Sequence, residues 1–156
     1  MKTDQECLSQ LLERRKQFEY LVQDTDFSRL AIAAGWNGIL TCPCCGYPTL
    51  LVANSYDICP ICNWEDDGQE EPGADQVFGG ANGDYSLNEA RLNFCRGFTM
   101  YRLSDSTRFF KTTRSALRRK VLCSALALLL ESRDYSRILE SIVEADRHLR
   151  DLKVAD

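Results

Sequence analysis

Cys42-Pro43-Cys44-Cys45-Gly46 and Cys59-Pro60-Ile61-Cys62-Asn63 decide how this chain folds around them. Each stretch holds a C-x-x-C turn, which offers two soft sulfur ligands from one knuckle. A pair of such turns completes the tetrahedral set that zinc takes. The proline after the first cysteine of each pair presets the backbone for the turn, and Gly46 relieves its exit. Thirteen residues lie between Cys45 and Cys59, enough for a β-hairpin that brings the knuckles together. The competing readings are two disulfides, or a thioredoxin-like redox motif that lacks its βαβ context here. The expectation is one structural Zn²⁺ on Cys42, Cys45, Cys59 and Cys62. Such a closed site has no open coordination position, so it stabilises rather than catalyses.

On the N-terminal side, Cys7, Leu8, Leu11, Leu12, Phe18, Leu21 and Val22 recur mostly at three- and four-residue spacing. That pattern predicts an amphipathic helix over about 4–23. Asp24 or Asp26 caps a short second helix from Phe27 to Ala34, ended by Gly35. Between the knuckles, Thr49–Ala53 and Tyr56–Ile58 read as strands around an Asn54-Ser55 turn. Residues 65–85 carry six glycines and prolines and no period, so they form a long loop. Trp64, Val77, Phe78 and Tyr85 are the expected pins of that loop. Ser86-Leu87-Asn88-Glu89 is a capping box that opens a helix to about Arg96. Residues 98–112 have no clear pattern, though Phe109 and Phe110 suggest packing. Thr113–Glu131, with an apolar stripe of Leu117, Val121, Leu122, Ala125, Leu128 and Leu129, and a segment running to about Lys153 form an antiparallel helical hairpin. The fold class is therefore α+β. A ribbon hairpin over 40–97 is flanked by an N-terminal helical segment, 1–39, and a C-terminal helical hairpin, 98–156, as one compact unit.

The chain has 156 residues, 44% of them hydrophobic and 27% charged, which suits a soluble domain with a real core. No run reaches the length of a membrane span, and the start, Met1–Glu6, lacks the apolar core of a secretion signal. A cytoplasmic location follows, where thiols stay reduced. In that setting Cys7, Cys95 and Cys123 read as small buried hydrophobes, and Cys44 as a spacer or an alternative ligand within the first knuckle, with a reactive thiol as the competing reading. The net charge is −4, but its distribution is polarised. Ser55–Ala90 holds nine acids and no base, and Arg91–Lys120 holds nine bases and one acid. These blocks either pair within the fold or present two faces.

The segments Cys42-Pro43-Cys44-Cys45-Gly46-Tyr47, Ile58–Cys62, Trp64-Glu65-Asp66-Asp67, Gln69, Gly79–Gly83, Ser86–Arg91 and Asn93-Phe94 resemble, in order and spacing, the bacterial cysteine-rich CPCC domain. The resemblance covers about residues 40–97. It implies a small zinc-ribbon-like module and no established activity. Asn63 stands where glycine or an aromatic is more usual, which bears on the exit of the second knuckle.

For function, the acidic loop is the sharpest feature. Trp64, Glu65, Asp66, Asp67, Glu70, Glu71 and Asp75 join one aromatic to six carboxylates beside a rigid scaffold. Charge complementarity suits such a loop to a basic partner protein. The expectation is a non-enzymatic protein-binding module. Its narrower form is an immunity protein for a bacterial toxin such as a nuclease. The alternative is a nucleic-acid-binding zinc-ribbon regulator using Arg108, Lys111, Arg114, Arg118, Arg119 and Lys120. The sequence pI of about 5.1 argues against it. Catalysis finds no nucleophile–base pair, and the single histidine, His148, lies on a C-terminal helix.

Overall fold

The computed structural model describes residues 1–108 and 116–150. Helix α1, Asp4–Val22, begins on a full capping box in which Thr3 and Glu6 satisfy each other's backbone N–H groups. Its buried face is Cys7, Leu11, Phe18 and Leu21. Asp24 caps α2, Thr25–Ala34, which stops at Gly35 in the left-handed region. Strands β1, Leu40–Thr41, and β2, Pro48–Leu50, then pair antiparallel. A long loop with two short 3₁₀ turns, Gly73–Asp75 and Gly80–Asn82, leads into α3, Leu87–Gly97. The C-terminal hairpin is α4, Ala116–Leu128, and α5, Tyr135–Arg150. Helix α1 packs on α3, and α5 packs on both α2 and α4. One contiguous core runs from Phe18 and Phe27 through the cysteines to Leu122, Leu139 and Ile142.

The α+β class and the flanking helices stand as expected, but the ribbon is built differently. The pairing does not join 49–53 to 56–58. Each knuckle is itself the turn of its own small ladder. Cys42 N–H donates to the Tyr47 carbonyl at 2.8 Å, and Gly46 N–H to the Cys42 carbonyl at 2.9 Å. In the second knuckle Cys59 N–H donates to Trp64 and Asn63 N–H to Cys59, at 2.9 and 3.0 Å. The same two bonds, at the same spacing, recur in both. Residues 51–58 are left exposed, joined back by an isolated Ile58–Glu65 bridge.

Three further expectations are corrected. Val77 and Phe78 are more than half exposed, so they do not pin the loop. Buried Gln69 and Asn82 do so instead. Gln69 Nε2 donates to the carbonyls of Gly73 and Gln76, while Asn82 both donates to and accepts from the Glu65 backbone. The apolar stripe of α4 is rotated: Arg119, Leu122, Cys123 and Leu126 are buried, while Leu117, Val121 and Leu128 are exposed. The rotation brings Arg119 Nε onto the Phe98 carbonyl at 3.1 Å and Cys123 toward Tyr47. Cys7 and Cys95 are not separate buried thiols but a disulfide that joins α1 to α3 across 88 residues. Closing so long a loop removes about 4–5 kcal/mol of chain entropy from the unfolded state. Phe109 and Phe110, the start of the expected helix at Thr113, and the residues beyond Arg150 lie outside the described residues.

Candidate metal centre

Backbone chemistry places the four sulfurs. The left-handed residues that close the knuckles are Gly46, φ +80°, and Asn63, φ +73°. Asparagine tolerates that region better than most side chains, so Asn63 serves the second knuckle as glycine serves the first. The two turns then face one another. The sulfurs of Cys42, Cys45, Cys59 and Cys62 all lie within 4.8 Å of each other and are fully buried. Cys42 meets Cys62, and Cys45 meets Cys59, at 3.6 Å. A tetrahedron with metal–sulfur bonds of about 2.3 Å has edges of about 3.8 Å, so the spacing fits a four-thiolate metal ion. Cys44 is buried in the same knuckle but stands outside this group.

The surroundings favour thiolate at one corner. Burial pushes the thiols of Cys42, Cys45 and Cys62 well up. Cys59 goes the other way. Burial opposes its thiolate, but hydrogen bonds from Cys42, Cys45, Cys62 and the Thr49 hydroxyl, 3.1 Å away, hold it down. Backbone N–H groups of Ile61 and Trp64 point at Cys59 Sγ and Cys62 Sγ, each at 3.4 Å. Oriented amides of this kind stabilise sulfur-borne charge and fix ligand direction.

Guanidinium groups hold the first knuckle from two sides. Arg14 on α1 donates Nε and Nη2 to the Cys45 carbonyl at 2.9 and 2.7 Å, and lies 4.7 Å from the centroid of the Tyr47 ring. Arg91 on α3 is buried and donates Nε to the Pro43 carbonyl at 2.9 Å. Its Nη1 reaches Glu71 and Asn88. The second knuckle is tied to the chain that follows α3, through Met100 N–H to the Cys62 carbonyl at 2.9 Å. No periodicity announced these roles. The only signal was an arginine or two standing amid otherwise amphipathic patterns.

Residues 40–108 match the cysteine-rich CPCC family. This segment is a cysteine-rich CPCC domain. Its match runs past Gly97 to Arg108 and so takes in Met100, whose N–H bonds the Cys62 carbonyl. No curated protein and no solved structure matches the chain.

Around the CPCC domain's centre the acidic loop is drawn inward rather than displayed whole. Trp64 is fully buried and presents no contact surface. Asp66 is buried too, accepting from the N–H groups of Asn54 and Gly68. Asp67 accepts from Gln69 N–H and Asn82 Nδ2. Glu70 pairs with Arg15, Glu71 with Arg91, and Asp75 with Asn88. Glu65 is half-buried in its bridge to Ile58. The basic block answers in kind, for Arg102 pairs with Glu89 and Asp84, and Arg96 with Asp4. Glu70, Glu71 and Asp75 keep an exposed side. His148 is exposed on α5, 3.7 Å from Glu144 and remote in the chain from every cysteine. No helix among the described residues is long and apolar enough to cross a membrane.

Proposed function

We propose that this protein is a non-enzymatic, zinc-stabilised protein-binding module. The zinc assignment is supported by four soft donors at tetrahedral spacing, buried and without an open position. Cys42, Cys45, Cys59 and Cys62 would hold the ion, which supplies cross-linking of the two knuckles. The narrower reading is an immunity-type inhibitor of a basic toxin such as a nuclease.

The observation that carries the binding reading is the segment between the knuckles. Leu51, Val52, Tyr56 and Ile58 are all exposed, Tyr56 by 58%, on backbone that is not loose. Tyr56 N–H donates to the Asp66 carbonyl, Asp66 N–H to Asp57, and the Asp66 carboxylate accepts from Asn54 N–H. Tyr56 is moreover held at φ +62°, a costly conformation for an aromatic residue. Exposed apolar side chains on a hydrogen-bonded backbone, with exposed Asp57 among them, suit a protein partner, because little backbone ordering remains to be done on binding. Nucleic acid is the weaker reading, since Arg119 and Lys120 of its basic set are engaged at Phe98, by the carbonyl and the ring.

The test must spare the carboxylates that build the loop, Asp66 and Glu71. A variant carrying Val52→Asp and Asp57→Lys should keep its metal content and helicity while losing a cross-linked partner that the wild type retains in its native cells. For the immunity form, the wild type should protect cells expressing a toxin encoded beside it, and the variant should not. An unchanged partner set in the variant would remove this face from consideration.

A further inference from the structure

The disulfide and the metal centre share their supports. Cys7 is buried on α1 and Cys95 partly exposed on α3, and their bond closes the seam between these helices next to the Asp4–Arg96 ion pair. Two turns along α1 from Cys7 stands Arg14, whose guanidinium grips the Cys45 carbonyl. The same guanidinium lies 5.8 Å from the ring of Phe94, the neighbour of Cys95 on α3. At Gly46 the knuckle touches α1 itself, where an added Cβ would sit 3.1 Å from the Leu11 carbonyl. Among the described residues this disulfide is the one covalent cross-link between α1 and the CPCC domain, and it sits on the helix that carries the outer support of a ligand residue. Helix α1 lies wholly outside the family match.

We propose that Cys7–Cys95 is a thiol-exchange site whose redox state sets how firmly the four-cysteine centre retains its metal. The inference rests on the zinc reading above. A dithiol reductant supplies the chemistry. One of its thiolates attacks Cys95 Sγ, the S–S bond breaks, and Cys7 leaves as a thiolate that takes up a proton. The second thiol of the reductant then displaces Cys95. The products are two protein thiols and one oxidised dithiol, two electrons and two protons having moved to the protein. The sulfurs of the metal centre stay out of the exchange because they are fully buried. Once the tie opens, α1 is held against α3 by non-covalent contacts alone, and the grip of Arg14 on the Cys45 carbonyl loosens with it. Outer partners of metal ligands commonly govern metal affinity by about 10–100-fold.

The experiment begins with metal content, read on oxidised wild-type protein. One zinc per chain secures the parent reading, and no bound metal sinks both. Zinc transfer to a chromogenic chelator is then timed for four proteins: the oxidised wild type, the wild type reduced by a phosphine that is removed beforehand, Cys7→Ala/Cys95→Ala, and Arg14→Gln. Release should be about tenfold faster in the last three than in the oxidised wild type. Adding Arg14→Gln to the double alanine variant should speed it little further, because both changes remove the same support. Circular dichroism checks that the helices persist, and the reduced wild type carries the test if the alanine variant does not fold. Equal release from oxidised and reduced wild type, with zinc present, overturns the inference and leaves the zinc reading standing. Fully additive effects of the disulfide and Arg14 would also overturn it, by showing that the bond does not act through this residue.

Discussion

Gly46 shows how much one position carries. It sits at φ +80°, with the α1 backbone pressed against the space a side chain would fill, 3.1 Å from the Leu11 carbonyl and 3.2 Å from Arg15 N. The glycine was legible in the sequence as a turn residue. Its second duty, letting a helix lie against the knuckle, was not, because close approach depends on a partner 31 or more residues away. Gly46→Ala should cost about 1–2 kcal/mol for the left-handed backbone alone. The crowding of α1 adds to that, and chemical denaturation compared with the wild type reads the sum. Asn63 tells the complementary story. It looked like a departure at the exit of the second knuckle, yet it adopts the left-handed conformation that the repeated bond pattern demands. The four ligand positions were legible outright, since C-x-x-C spacing is local and reports its own geometry. Arg14 and Arg91 were not, because their meaning lies in which carbonyl they reach.

At the level of elements, helix starts were read well and pairing partners poorly. Asp24 and Ser86 cap as expected because capping is settled within three residues. Even here one bond moved. Glu89 does not return to the Ser86 backbone but reaches Arg102 instead, so Ser86 caps alone. Ser86→Ala should therefore cost about 1 kcal/mol, seen as a lower thermal midpoint. The long loop should resist limited proteolysis between Glu65 and Asp84, since buried Gln69 and Asn82 hold its backbone. Ready cleavage there in the folded protein would contradict that hold. The ribbon strands were misplaced because alternation in 49–58 is satisfied equally by an exposed segment, and only the knuckle ladders decide between them. The stripe of α4 was misphased for a similar reason. Leucine is abundant on every side of that helix, and the buried side is chosen by what lies across from it, Tyr47 and Phe98.

For the whole molecule, the metal and the charge pattern make the strongest demands. Structural zinc in small ribbons contributes on the order of 10 kcal/mol. Cys59→Ser should lose the ion, and metal analysis with circular dichroism should show the CPCC domain melting while part of the helical signal survives. Purified protein without zinc, prepared free of chelators, would contradict the assignment. Charge is compensated internally across the boundary between the acidic and basic blocks, at Glu71–Arg91, Glu89–Arg102 and Asp84–Arg102. Specific duplex binding should therefore be absent at about 150 mM salt, and a tight, steeply salt-dependent shift would reverse that expectation.

Arg14, finally, bears on what can be moved from one protein to another. The segment that recurs as a family, residues 40–108, is shorter than the segment that supports its own metal ligands. Grafted alone onto a different scaffold, it would leave Tyr47 and Phe94 without the helix that covers them and Cys45 without its clasp. A host would have to bring a guanidinium of its own to that spot. Chains that share these cysteines are thus free to differ in how they brace them, and each bracing helix is a place where tenure of the ion can be tuned without touching a ligand.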